Sequence, residues 1–144
     1  MAKNKPLQGF TIYDGKVKAN IHLDRINANL TRAQYVLDSQ IMNDMVPYMP
    51  HNTGTFVNIT RAQSASLAGS GFVVAAAPPM GRFLYEGKVM IDPVTGSPWA
   101  RKGAKKIVTD RPLTYSNPKA VPHWFDKAKE EHLSEWVQIV KDNV

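Results

Sequence analysis

Between Leu23 and Met45 the chain repeats apolar residues at spacings of three and four: Leu23, Ile26, Leu30, Ala33, Leu37, Ile41 and Met45. Residues spaced this way line one side of an α-helix. Asp24 or a neighbour is placed to cap its start, and Pro47 ends it. At about 1.5 Å per residue such a helix is over about 30 Å long. It is the spine of a small domain, and the rest of the chain must cover its stripe.

The flanking segments supply short elements. Phe10–Tyr13 and Lys16–Ile21 are β-prone runs joined by Asp14-Gly15, a pair suited to a tight hairpin turn. After the spine, Pro47, Pro50, Asn52 and Gly54 mark a sharp turn. Thr55–Ala62 and Phe72–Ala77 then read as two strands joined by a loose glycine turn and stopped by Pro78-Pro79. "GRFLYEG" reads as a short helical turn. A final helix is expected from about Pro122 to Asp142, with Pro122 in its first turn and Phe125, Ala128, His132, Trp136 and Ile139 facing inward.

Between these lies a long extended segment, about residues 88–121, punctuated by prolines and glycines and rich in cations. Within it "KVMIDP" and "KKIVTD" are placed to pair as short strands. A loop of this length in a compact domain is normally functional or ordered by a partner. The whole reads as one α+β domain over residues 1–144: an antiparallel sheet packed with a long helix from the N-terminal half and a C-terminal helix, plus this basic loop.

Charge is concentrated in the same place. Of a net +6, the stretch from Trp99 to Lys129 carries eight basic and two acidic residues, so the remainder balances at ten of each. Such an excess suits phosphate or an acidic face on a neighbour. The chain has no cysteine, which removes disulfides, thiol nucleophiles and thiolate zinc sites and suits an intracellular product. The first residues carry charge but no apolar core, so no signal peptide is expected, and the NLT and NIT triplets at Asn29 and Asn58 lose their meaning as glycosylation sites. No apolar run approaches the roughly 18 residues of a spanning helix.

No catalytic pattern in the chain is complete. "AVPHWFDKAKEEH" gathers His123, Asp126, Glu130, Glu131 and His132, but its histidines lie nine residues apart, whereas helical zinc ligands need a spacing of four. His132 falls on the apolar stripe, as a packed, hydrogen-bonded histidine would, while Glu130 or Glu131 can pair with Lys127 on the surface. No G-x-S-x-G elbow is present, and His22 and His51 stand beside no activated serine in the sequence. Gly9…Gly15-Lys16-Val17 and Gly81…Gly87-Lys88-Val89 imitate a phosphate loop with one residue too many and valine in place of the hydroxyl. The expectation is no enzyme, no cofactor and no metal.

"WARKGAKK" joins an aromatic to four cations, as a single-strand stacking patch does, although no known nucleic-acid-binding motif accompanies it. Trp99 on that loop also suits an interface anchor.

"VPYMPHNTGT" (Val46–Thr55), following a long helix, resembles the P-x-x-T-G turn of phage minor capsid and tail-completion proteins. "YEGKV" (Tyr85–Val89), "WARKGAKKIVTDRPLTY" (Trp99–Tyr115) and "PHWFDKAKEEHLSEW" (Pro122–Trp136) resemble the same siphophage group, in the family's order, over most of the chain from about Asn20 to Lys141. The resemblance implies a structural protein of the virion neck, made in the host cytoplasm. It would form a homo-oligomeric ring, six-fold like the tail beneath it, between portal-connector and tail proteins, and DNA would pass through it. On this view Trp99, Arg101, Lys102, Lys105, Lys106 and Arg111 make subunit or layer contacts, some of them facing DNA. Pro47, Pro50, Thr53 and Gly54 shape the turn between spine helix and sheet, and Pro122, His123, Trp124, Phe125 and Trp136 anchor the last helix. The alternatives are a stand-alone nucleic-acid-binding module using the Trp99–Lys129 region, or another neck layer such as a tail terminator or adaptor.

Overall fold

The computed structural model describes residues 5–51 and 54–144. Elements run in the order β1 (Phe10–Asp14), β2 (Val17–Ile21), α1 (Asp24–Met45), α2 (Thr55–Leu67), α3 (Gly81–Glu86), β3 (Lys88–Ile91), β4 (Ile107–Pro112) and α4 (Trp124–Asn143). The class is α+β. Its strands form two separate antiparallel hairpins, β1–β2 and β3–β4, and the core is built by helices.

The apolar stripe of α1 is covered chiefly by α4. Arg32 reaches the Asn143 carbonyl, Asp44 meets Trp136, and Tyr48 meets Glu131, so the two helices run antiparallel. Met42, Met45, Met49, Val57, Trp124, Ala128 and Trp136 form the buried cluster. Unbranched methionine adapts to the irregular space between three helices of different length.

The largest departure from the sequence reading is at residues 55–77. The segment expected as a strand, Thr55–Ala62, is instead the first two turns of α2, which continues to Leu67. Its β-branched residues read as strand, but Val57, Thr60 and Ser64 recur at helical spacing and are the residues it buries. The expected partner strand, Phe72–Ala77, adopts no regular element. Side chains of α2 replace a strand partner: Ser64 Oγ donates to the Val74 carbonyl (2.9 Å) and accepts from its N–H (3.0 Å), and Thr60 Oγ1 accepts from the Ala77 N–H (3.3 Å).

The turn before α2 is corrected accordingly, because it joins two helices rather than a helix and a sheet. Pro47 lies in a 3₁₀ turn over Val46–Tyr48, Pro50 is buried, and Gly54 takes φ 78° immediately before α2. Thr53 lies outside the described residues. Among the described residues no helix is long and apolar enough to cross a membrane.

Candidate assembly surface

The basic segment is an arm. β3 and β4 pair antiparallel, with Met90 opposite Val108 and Ile91 opposite Ile107, and a bulge between Lys88 and Met90. These are the two short strands expected from "KVMIDP" and "KKIVTD". Between them residues 92–106 form a tip ordered around Asp92, whose side chain is wholly buried. Its Oδ1 accepts from the Val94 N–H (2.8 Å), the Thr95 N–H (3.3 Å) and Arg101 Nη2 (3.3 Å). Its Oδ2 accepts from the Arg101 N–H (3.1 Å) and Nε (2.9 Å). The Arg101 guanidinium, then the backbone donors, hold the Asp92 carboxyl far below the usual carboxylate range.

Two predicted contact residues also have partners within the chain. Arg101 fixes the tip while its side chain stays half exposed. Lys106 lies 5.6 Å from the centre of the Phe83 ring, a cation–π contact with α3. Lys102, Lys105 and Arg111 are exposed, and Trp99 is 86% exposed at the tip, its N–H held by Ser97 Oγ at 3.1 Å. Asp92 was not singled out in the sequence. Its signal was there in "DPVTG", an Asx-turn composition followed nine residues later by arginine.

The base of the arm is fastened to the body. The Leu113 N–H donates to the Gly87 carbonyl (2.9 Å) and Tyr115 Oη to the Leu84 carbonyl (2.6 Å). Burial raises the Tyr115 pKa. Asn117 Nδ2 bonds the carbonyls of Pro47 and Met49, and the Val121 N–H bonds that of Tyr48. Gly87 ends α3 at φ 69°, and a Cβ there would sit 2.7 Å from Pro122. Only glycine satisfies both demands.

The predicted helix anchors lie beside this base. Pro122 precedes α4 rather than opening it, because His123 takes a left-handed conformation (φ 53°) and the helix starts at Trp124. His123 stacks edge-on to Tyr85 and lies 3.3 Å from Glu86 and 4.0 Å from Asp126. Trp124 is fully buried, edge-on to Tyr85 and Phe56, and its indole donates to the Ala75 carbonyl at 2.8 Å. Phe125 stacks on Trp136 at 6.1 Å.

Along the α1–α4 seam, helices distant in sequence converge their polar groups. Asp44 accepts from Trp136 Nε1 (2.7 Å) and Gln40 Nε2 (2.9 Å), while His132 Nδ1 meets Glu135 Oε2 (3.0 Å). The Glu135 hydrogen bond, then the Asp44 charge, raise the His132 pKa against burial. Among the described residues Asp44, His132 and Glu135 each offer a ligand atom within 4.8 Å of one another, and these are the residues that could hold a cation. Spacing along α4 alone gave no such convergence, because Asp44 comes from α1. Glu131 accepts from both Tyr48 (2.6 Å) and Lys127 (2.9 Å), so the carboxylate of the expected Lys127–Glu131 pair also ties α4 to the 3₁₀ turn that follows α1.

An apolar groove of about 370 Å³ opens at the arm's base, lined by Pro50, Phe56, Ile59, Pro79, Met80, Leu84 and Tyr115, among others. Comparison with protein-family models, curated proteins and solved structures finds no match.

Proposed function

We propose that this chain is a structural, non-enzymatic protein of a siphophage neck, forming a ring at the head–tail junction that joins portal-connector layers to the tail and lets DNA pass. The observation that carries the reading is the arm: a tip braced by a buried Asp92–Arg101 pair that presents Trp99 almost fully to solvent. An exposed tryptophan on a braced tip, followed by cations, suits an interface anchor. The sequence resemblance supplies the setting, and the cations Lys102, Lys105 and Arg111 suit acidic neighbours or DNA.

The test follows from the register. Ile91 faces Ile107, so replacing residues 92–106 by Asn-Gly closes β3–β4 with a two-residue turn. The expected result is a folded chain that no longer completes infectious particles; full complementation by this variant would overturn the reading. Electron microscopy of intact particles, locating the chain relative to portal and tail tube, separates the connector layer from a terminator or adaptor layer.

The exposed lysines also favour a second reading, a nucleic-acid-binding module. That reading requires tight binding by the isolated chain, falling steeply with salt.

A further inference from the structure

We propose that Asp44, His132 and Glu135 form a zinc site at the α1–α4 seam, where the metal staples the last helix to the end of α1. Asp44 is the penultimate residue of α1, while His132 and Glu135 lie three residues apart on α4. That spacing puts both α4 side chains on one face of the helix. The same face meets Asp44, and the three ligand atoms lie within 4.8 Å of one another. Metal sites in helix bundles are assembled in this way, from side chains on facing helices. The expectation of no metal rested on histidine spacing within α4, whereas here a second helix supplies the third ligand.

The donors suit the ion. One imidazole with two carboxylates is a set for zinc rather than for magnesium or calcium, which take oxygen throughout. Three protein ligands leave a fourth position for water. The side chains of His132 and Glu135 stay 27% and 65% exposed, so that position opens to solvent and a cation enters without unpacking the core. Asp44 is aimed from behind. Trp136 Nε1 and Gln40 Nε2 donate to its two oxygens at 2.7 and 2.9 Å. Each oxygen keeps a second lone pair for a metal, and outer donors of this kind hold a ligating carboxylate in place.

The local charge asks for a cation. Asp44 stands in the last turn of α1, at the negative end of the helix dipole, and that turn holds no basic residue. Among the described residues neither Asp44 nor Glu135 has a lysine or arginine in ion-pair contact, and Glu131 nearby already shares Lys127 and Tyr48. Even a protonated His132 sets one positive charge against two carboxylates. A divalent ion balances both, with neutral imidazole as its third ligand.

The test uses the full chain, stripped with EDTA and titrated with zinc chloride in a calorimeter. Equimolar binding is expected, and a Tm raised by about 5–10 °C at zinc about 100 times Kd. Glu135→Gln and Asp44→Asn should each weaken binding about tenfold or more, the least that losing even an outer-shell partner costs. Glu135 is largely exposed, so its variant keeps the fold. Cobalt(II) adds a local readout, because Trp136 is bonded to Asp44. In a Trp99→Phe background, bound cobalt should quench Trp136 emission, and Glu135→Gln should restore it.

No stabilisation with zinc in large excess would overturn the proposal. So would binding undiminished in both variants, or an equal rise in Tm with magnesium, which needs carboxylates alone. Binding lost in Glu86→Gln but kept in Glu135→Gln also overturns it, placing the cation at His123, where Glu86 and Asp126 lie at 3.3 and 4.0 Å. A zinc staple is independent of the neck reading, since the Asn-Gly variant tests residues 92–106 alone.

Discussion

Asp92 and Arg101 meet at 2.9 Å with the carboxylate fully buried and the guanidinium half exposed. That pair converts a fifteen-residue connection, residues 92–106, into a shaped tip. Without it the segment has little apolar burial to offset its ordering entropy.

Arg101→Ala should leave the fold intact and the tip loose, read as faster amide exchange and proteolysis between residues 92 and 106 alone. Asp92 has a depressed folded pKa, so its contribution is present above the unfolded carboxylate pKa and is lost as pH falls through the folded value. In the native chain that loss needs strong acid. In Arg101→Ala tip protection should fall at higher pH, toward the ordinary carboxylate range.

His132 predicts the opposite slope. Its folded pKa is raised above 6.5, so its contribution is complete below that value and disappears as pH rises through the folded pKa. Glu131 has a lowered pKa, through Tyr48 and then Lys127, so its contribution is already complete at pH 6 to 8 and is lost only as pH falls into acid. Thermal melts should therefore show a modest fall in Tm from pH 6 to 8, and His132→Gln should flatten it.

Trp124→Ala should cost about 3–5 kcal/mol in urea denaturation, since it empties the junction of α4 with Phe56 and Tyr85. Against a total of about 5–15 kcal/mol this brings the domain close to unfolding. Trp124→Phe retains most packing but leaves the Ala75 carbonyl without its donor. It should fall between the two.

Asp38→Ala tests how residues 69–71 are held. The buried carboxylate accepts from the N–H groups of Gly69 (2.8 Å) and Gly71 (3.0 Å), both at positive φ. Removing it leaves those donors unpaired at a cost of about 1–3 kcal/mol, measurable by denaturation.

The parts legible in the sequence were those set by local periodicity and turn chemistry. α1 follows from its stripe, β1–β2 from Asp14-Gly15, and α4 from Phe125, Ala128 and Trp136. The segments misread as strands were those in which local preference and packing disagree. "TFVNIT" is β-prone by composition, yet it opens α2, which buries Val57, Thr60 and Ser64 and bonds the 72–77 segment through Thr60 and Ser64. An extended stretch whose polar backbone is met by Ser64 and Thr60 has no strand partner to be found by reading along the chain.

The sequence by itself determined that α1, α4 and the two hairpins exist, because periodicity and turn chemistry act over a few residues. It also determined where positive charge gathers. Only the tertiary structure decided what that charge does: Arg101 is bound to Asp92, Lys106 to Phe83, and Trp99 is left alone at the tip. It also decided that Asp44 meets Trp136 across 92 residues, and that the arm's base opens a groove. Those outcomes depend on which surfaces the helices bring together, and burial, unlike periodicity, has no fixed spacing along a chain.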